Sequence, residues 1–244
     1  MTRGARWTEV GTRWDLGADS RIRLATITDW LPLTTPPETQ LRAVLGTAFD
    51  RWNAMTCAFA RGRMFASRAL LRAVVADRLG CDAGEIDIHT EPGRPPQARW
   101  GTAPAPVAIS LSHTGDTLAV AVADSGAHDD GIGVDIEASD RPIYTPTFVT
   151  AVAHPDELAQ LADLDPDERN DALVALWTMK ESVLKARGTG LTVVPRRICV
   201  GLPTRDTAST TRDVAAPDGH RTRIGTTTHH GLRISAAHHW RKHA

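Results

Sequence analysis

The sequence predicts an α+β protein made of two similar α/β lobes. Short apolar strands alternate with two long helical segments along the 244 residues. Each half of the chain places its strands around one of these segments, and the polar stretch SGAHDD at 125–130 separates the halves. We therefore expect an N-terminal lobe over residues 1–130 and a C-terminal lobe over residues 131–244.

The first half contains the first long helical region, at 36–80, which we expect to end at Gly80. The Pro- and Gly-rich segment 91–106 is predicted to be a loop. The tetrapeptide HTGD at 113–116 is predicted to be a turn between two short strands. The predicted strands of this half are 21–27, 107–112 and 118–124.

The second half opens with GIGVDIE at 131–137, a strand by its β-branched content. An irregular run containing three prolines is expected next. Asp165 followed by Pro166 then predicts a helix start, and the helix should run to about Arg187. Two further strands are expected near 196–201 and 231–237.

The overall composition excludes several functional classes. The formal net charge is −1, so no global field favours nucleic acid or an anionic membrane. No stretch approaches the ~18 continuous apolar residues of a membrane span. The three cysteines have no metal-ligand or disulfide spacing. We therefore expect a cytoplasmic protein in a reducing compartment, with no membrane or nucleic-acid partner.

Two carboxylates on the predicted strand 131–137 indicate a possible metal site. Asp135 and Glu137 are two residues apart and so project from one face of the strand. Their repulsion would be offset by a hard divalent cation such as Mg²⁺, which prefers oxygen ligands. For this pair alone, two solvated surface acids remain the more common arrangement.

The second long helix carries Trp177, Glu181 and Lys185 along one stripe, because they are spaced i, i+4, i+8. An exposed Glu–Lys ion pair is the simpler interpretation and would contribute only ~0.3–0.5 kcal/mol. That interpretation explains neither the tryptophan on the stripe nor the GTGL that follows. A metal ligand or base at Glu181 and a phosphate contact at Lys185 would explain the stripe better.

Two further segments supply candidate phosphate contacts. Ser112 and His113 lie at the predicted turn, where free backbone N–H groups can bind an anion. Arg94 lies in the rigid loop sequence GRPP at 93–96. Taken singly, His113 is more commonly a structural or surface histidine, and Arg94 is more commonly an ordinary loop arginine.

Taken together, these motifs resemble the larger, surfactin-synthetase-activating (Sfp-like) class of 4′-phosphopantetheinyl transferases. The resemblance covers residues 61–191. The two most specific motifs are GIGVDIE and WTMKESVLKARGTGL. The motifs that carry the resemblance are RGRMFASRALLR (61–72), GRPP (93–96), ISLSHTGD (109–116), GIGVDIE (131–137) and WTMKESVLKARGTGL (177–191).

The resemblance implies two lobes related by pseudo-twofold symmetry, with coenzyme A in the cleft between them. It implies that Asp135, Glu137 and Glu181 bind Mg²⁺, or Mn²⁺ in its place. It places Lys185 and Lys180 near the phosphates. The residues implied for the 3′-phosphoadenosine end are Arg51, Arg63, Arg94, Ser112 and His113, of which Arg51 rests only on an ungapped count from Arg63.

The implied reaction moves the 4′-phosphopantetheine arm of coenzyme A to a serine of an apo acyl or peptidyl carrier protein. The products are the holo-carrier and adenosine 3′,5′-bisphosphate. Glu181 would accept the serine proton and Lys185 would stabilise the leaving phosphate. The resemblance also implies a holo-[acyl-carrier-protein] synthase type of enzyme that acts as a monomer.

Two other functions remain open from sequence. One is a homologue that binds carrier proteins without catalysis. The other is a Mg²⁺-dependent nuclease, although nuclease cores place Glu and Lys two apart on a strand, whereas Glu181 and Lys185 are four apart on a predicted helix.

Overall fold

A computed structural model describes residues 7–10, 14, 16, 20–32, 34, 36–91, 93–125, 130–203, 209–215 and 220–241. The chain is α+β, as predicted, and it has six α-helices in the described part. The helices are α1 Glu38–Leu45, α2 Phe49–Asn53, α3 Ala58–Leu79, α4 Pro146–Val152, α5 Pro155–Ala162 and α6 Pro166–Ala186.

The strands form two four-stranded antiparallel sheets and one small three-stranded sheet. Sheet 1 has the order β1-β2-β7-β6, and sheet 2 has the order β8-β11-β10-β9. The strands are β1 Thr8–Glu9, β2 Ser20–Thr26, β3 Ile86–His89, β4 Gln97–Trp100, β5 Ala103–Pro104, β6 Val107–Thr114, β7 Thr117–Asp124, β8 Gly131–Ala138, β9 Ser209–Val214, β10 His220–His229 and β11 Leu232–Arg241.

The two sheets face each other, and each carries one long helix on its outer face. Alternation along β7 shows why: Leu118, Val120 and Val122 pack toward α3, whereas the intervening alanines pack toward sheet 2. On β8, Ile132 and Val134 belong to the same inter-sheet core as those alanines. The resulting order of layers is α3, sheet 1, sheet 2, α6.

Glycines set the distance between α6 and β8. A Cβ atom on Gly133 would lie 1.9 Å from the carbonyl oxygen of Ser182, and one on Gly131 would lie 2.0 Å from that of Ala186. No other residue type fits at these positions, because real Cβ contacts are much longer. The GxG of GIGVDIE therefore lets the helix backbone rest directly on the strand.

Prolines begin three helices of the C-terminal lobe. Pro146, Pro155 and Pro166 each occupy the first turn of α4, α5 and α6. Proline is favoured there because its missing N–H would have no partner in that turn. The expectation of an irregular run was therefore wrong for residues 146–162, where the prolines start helices.

Three other predictions of secondary structure need correction. Segment 91–106 is not all loop, because it contains β4 and β5. The predicted strand at 196–201 is a single short helical turn followed by irregular chain. The turn predicted at 113–116 is only two residues long, Gly115 and Asp116, and both His113 and Thr114 pair within the β6–β7 hairpin.

The predicted lobe boundary lies in the segment 125–130, of which residues 126–129 fall outside the described part. None of the described helices combines the length and the apolar run that a bilayer crossing requires.

Candidate active site

The candidate site forms where α6 crosses β8. Asp135 and Glu137 project from the helix-facing side of β8, and Glu181 and Lys185 project from α6 toward them. Trp177, one turn earlier on the helix, lies close enough to Glu137 to lower the pKa of its carboxyl group slightly. The stripe read from the sequence is thus an internal contact surface rather than an exposed ion pair, and Glu181 and Lys185 lie on a helix as predicted.

Asp135 is the buried centre of the site, with 5% of its surface exposed. Its Oδ1 accepts two hydrogen bonds, from Lys185 Nζ at 2.7 Å and from Ser112 Oγ at 2.7 Å. Lys185 Nζ also donates to the carbonyl oxygen of Val134 at 3.0 Å. The other oxygen of Asp135, Oδ2, is buried and has no hydrogen-bond partner.

Glu137 lies at the more open end of the strand. Burial raises the pKa of its carboxyl group, and the guanidinium of Arg141, which is hydrogen-bonded to Oε1, opposes that rise. Thr114 Oγ1 donates to Oε2 at a longer 3.4 Å. These contacts leave Glu137 less confined than Asp135.

Glu181 is half-buried, and its Oε1 is buried without a hydrogen-bond partner. Burial raises the pKa of this carboxyl group, the charge of Asp135 raises it further, and Lys185 opposes the rise. A carboxyl group in this setting holds a proton more readily than a free glutamate does. It is therefore suited to accept one.

The carboxylates fit a hard divalent cation. Asp135 Oδ2 and Glu181 Oε1 are both buried oxygens without partners, and a buried polar atom without a partner is costly. Among the described residues, the oxygens of the three carboxylates do not all lie within 4.8 Å of one another, so the set is open rather than a closed cage. An open set matches Mg²⁺, which keeps water and substrate phosphates among its ligands.

Ser112 and His113 point to opposite sides of β6. The Ser112 side chain is buried against Asp135, whereas His113 is exposed on the other side of the strand. Desolvation lowers the pKa of His113, and the nearby charge of Arg63 lowers it further. The two residues predicted to act together therefore point to different sides of the strand: Ser112 contacts Asp135, while His113 is exposed and is influenced by the charges of Arg63, Lys185 and Asp135.

Two other predicted arginines are exposed on the surface. The Arg94 side chain is 73% exposed, and it forms an ion pair with Glu91 in the same loop, at 3.3 Å. Arg51 is exposed on the short helix α2. Their assignment to the adenosine end therefore stays a prediction.

Lys180 does not reach the site. Its ammonium group is fully buried and lies 2.6 Å from Glu157 Oε2. Nζ also donates to the carbonyl oxygens of Val152 at 2.7 Å and Pro195 at 3.2 Å. Placing Lys180 beside the phosphates is therefore a prediction that the structure contradicts, because the chain itself occupies its donors.

A cavity of about 700 Å³ lies between the lobes, bordered by the β6 and β8 strand starts and by the end of α6. Lys185 lines it, together with the cations Arg99 and Arg187 and with Pro95 and Pro96 of the GRPP motif. Lys185 thus joins this cavity to Asp135. The cavity is large enough for most of a nucleotide-sized ligand.

Sequence reasoning missed several residues of the site. Ser110, Thr114 and Arg141 contact β8 or its carboxylates. The spacing of Ser110, Ser112 and Thr114, every second residue of a strand, was the available signal. The position of β6 beside β8 was not encoded in any local pattern.

The second half of the chain matches a known family. Residues 131–235 match the model of the 4′-phosphopantetheinyl transferase superfamily. A relative from Escherichia coli O157:H7, "4'-phosphopantetheinyl transferase AcpT", is 28% identical over 69% of this chain and 73% of its own length. The "4'-phosphopantetheinyl transferase" of Bacillus subtilis is 31% identical over 62% of this chain and 61% of its own. A "Phosphopantetheinyl transferase" from Thraustochytrium sp. is 32% identical over 54% of this chain and 48% of its own length.

The α6–β8 site lies within the matched residues and contains the two motifs on which the resemblance mainly rests. The chain is therefore similar, over residues 131–235, to the 4′-phosphopantetheinyl transferase superfamily.

Proposed function

We propose that this protein transfers the 4′-phosphopantetheine arm of coenzyme A to a serine of an apo acyl or peptidyl carrier protein. The observation that carries this proposal is Lys185, which bonds to Asp135 and also lines the inter-lobe cavity. A diphosphate in that cavity would meet the ammonium group beside the carboxylates. The Sfp-like class and the holo-[acyl-carrier-protein] synthase type are part of the proposal.

In the proposed reaction the serine Oγ forms a bond to the β-phosphorus of coenzyme A. The bond between that phosphorus and the bridging oxygen breaks, and adenosine 3′,5′-bisphosphate leaves. Glu181 accepts the serine proton, for which its raised pKa suits it. Lys185 stabilises the negative charge that grows on the leaving phosphate.

Asp135, Glu137 and Glu181 would hold the Mg²⁺, or Mn²⁺ in its place, that the family implies. When bound, the cation would neutralise charge on the pyrophosphate. The burial of Asp135 and the two unpartnered oxygens support this assignment. His113, which is exposed on the other side of β6, and Arg63, whose charge influences it, are proposed to bind the 3′-phosphate; Arg51 and Arg94 are proposed nearby.

The carrier is proposed to dock on the segment 141–161, which includes α4, α5 and the partly exposed Tyr144. A cytoplasmic location is proposed as well, supported by the free thiols of Cys57, Cys81 and Cys199. A monomer is proposed because the two lobes of one chain already enclose the cavity.

The test is incubation of the protein with coenzyme A, Mg²⁺ and a panel of apo-carriers, followed by intact-mass spectrometry. We expect one carrier to gain the mass of one arm, and we expect that gain to disappear with a chelator. Asp135→Ala is the matched variant and should lose the Mg²⁺ dependence together with most of the transfer. Binding of carriers without any modification would favour the non-catalytic alternative.

A further inference from the structure

The edge strands of the two lobes meet at the site, and side-chain hydroxyls join them. β6 ends sheet 1 and β8 ends sheet 2. Three hydroxyls on one face of β6 reach across to β8, and we name them the hydroxyl row. Its members are Ser110, Ser112 and Thr114, every second residue of the strand.

Each member of the hydroxyl row contacts a different group of β8. Ser110 Oγ accepts a hydrogen bond from the backbone N–H of Val134 at 3.1 Å. Ser112 Oγ donates to Asp135 Oδ1 at 2.7 Å, and Thr114 Oγ1 donates to Glu137 Oε2 at 3.4 Å. The hydroxyl row therefore makes one hydrogen bond to the backbone of β8 and one to each of the two carboxylates on β8.

The contact of Ser112 decides how the Asp135 carboxylate is turned. Ser112 and Lys185 both donate to Oδ1, which directs Oδ2 away from both donors. Oδ2 is the buried oxygen without a partner. A carboxylate held in this way has one oxygen reserved for a ligand that the protein does not supply.

Ser112 is poorly placed to bind a phosphate of coenzyme A. Its hydroxyl carries one proton, and that proton is used on Asp135. The residue is 9% exposed and Ser110 is 3% exposed, so neither hydroxyl opens to the cavity or the solvent. The exposed neighbour His113, on the opposite side of the strand, is better placed for that role.

We propose that the hydroxyl row is a positioning device, by which the N-terminal lobe orients the cation-binding carboxylates of the C-terminal lobe. Ser112 and Thr114 are thus positioning residues and not phosphate ligands. This inference rests on the proposed function for the identity of the cation. The segment SLSHT at 110–114 would then orient the carboxylates with one side of β6 and contact coenzyme A through His113 on the other side.

The experiment measures two affinities of the whole chain separately. Mn²⁺ binding is followed by the loss of the free-ion signal in electron paramagnetic resonance, and coenzyme A binding is followed by calorimetry without divalent metal. Ser112→Ala should raise the Kd for Mn²⁺ by about 10- to 100-fold, the usual effect of removing an outer-shell partner. It should leave metal-free coenzyme A binding unchanged. His113→Ala, on the opposite side of β6, should weaken metal-free coenzyme A binding and leave the Kd for Mn²⁺ unchanged.

Thr114 supplies a matched pair for the case in which Ser112→Ala fails to fold. Thr114→Val keeps the shape and removes the hydroxyl, and it should weaken Mn²⁺ binding less than Ser112→Ala because the contact is longer. Thr114→Ser keeps the hydroxyl and should restore binding. A loss that is equal in both variants would show a packing effect and overturn the inference.

Two other outcomes would also overturn it. If Ser112→Ala binds Mn²⁺ normally but loses metal-free coenzyme A binding, Ser112 is a phosphate ligand. If the native chain binds no Mn²⁺, the carboxylates have no cation to orient. Failure of the proposed function is a different result: the native chain would show the expected Mn²⁺ pattern and yet modify no carrier.

Discussion

The long helices α3 and α6 occupy matching outer layers of the two lobes but contact their sheets differently. α3 packs through large apolar side chains such as Leu70 and Val74. Its buried Arg68 and Arg72 donate to loop groups of their own lobe, including the carbonyl oxygen of Ala83 and the hydroxyl of Thr90. These contacts serve folding.

α6 is closer to its sheet and carries the chemistry. Gly131 and Gly133 remove the side chains that would separate it from β8. The short distance brings Glu181 and Lys185 to Asp135, and it leaves two buried oxygens without partners. The difference teaches that α3 meets its sheet through apolar side chains, whereas α6 meets β8 at a close contact that buries two carboxylate oxygens without partners, an arrangement that costs stability.

The largest expected effect tests the chemical role of α6. Glu181→Gln keeps the size of the side chain but cannot accept a proton, so transfer should fall at least about 100-fold. The measurement is arm transfer to the best carrier by mass spectrometry. Arg61→Gln on α3 is the control, because Arg61 stacks on Trp52 and lies away from the carboxylates. Near-normal turnover of Glu181→Gln would show that Glu181 of α6 does not take part in the chemistry.

The next effect tests the close approach of α6. Gly133→Ala places a Cβ 1.9 Å from a backbone oxygen, so it should destabilise the fold by more than the ~1–3 kcal/mol typical of overpacking. Gly62→Ala in α3 is the matched control. Its Cβ would meet only the flexible Leu31 side chain at 3.3 Å, and helix propensity favours alanine by up to about 1 kcal/mol. Denaturant unfolding measures both, and equal effects would contradict the comparison.

The third effect concerns the buried cation of α6. Lys180→Met leaves Glu157 buried without its partner, which should cost about 3–5 kcal/mol. Adding Glu157→Gln removes that charge while keeping an acceptor for the N–H of Val200, so part of the loss should return. The metal-free affinity for coenzyme A should not change. A selective loss of that affinity would restore Lys180 to the phosphate site.

The smallest effect is a pH dependence of stability in chelator. Because folding raises the pKa of Glu181, its contribution to stability is present below about pH 4.5 and is lost as pH rises through the folded value. Glu181→Gln lacks this loss. Its melting temperature should equal that of the native chain at low pH and exceed it increasingly above that range. A constant difference across pH would show that Glu181 does not titrate as proposed.

Local patterns were sufficient for much of the protein. Local apolar and β-branched patterns predicted β2, β6, β7 and β8, and the Asp165–Pro166 start predicted α6, because these signals act within one element. The i, i+4, i+8 stripe placed Trp177, Glu181 and Lys185 together for the same reason. Proline was ambiguous, since it breaks a helix interior but begins a helix, and α4 and α5 were missed on that account.

By itself the sequence determined the α+β class and the residue set Asp135, Glu137, Glu181 and Lys185, because each depends on spacing along one strand or one helix. Only the tertiary structure decided which partners those residues have. It turned Ser112 toward Asp135, separated it from His113, and buried Lys180 against Glu157. The physical reason is that burial and hydrogen-bond pairing depend on which elements meet, and distant parts of the chain meet only in the packed fold.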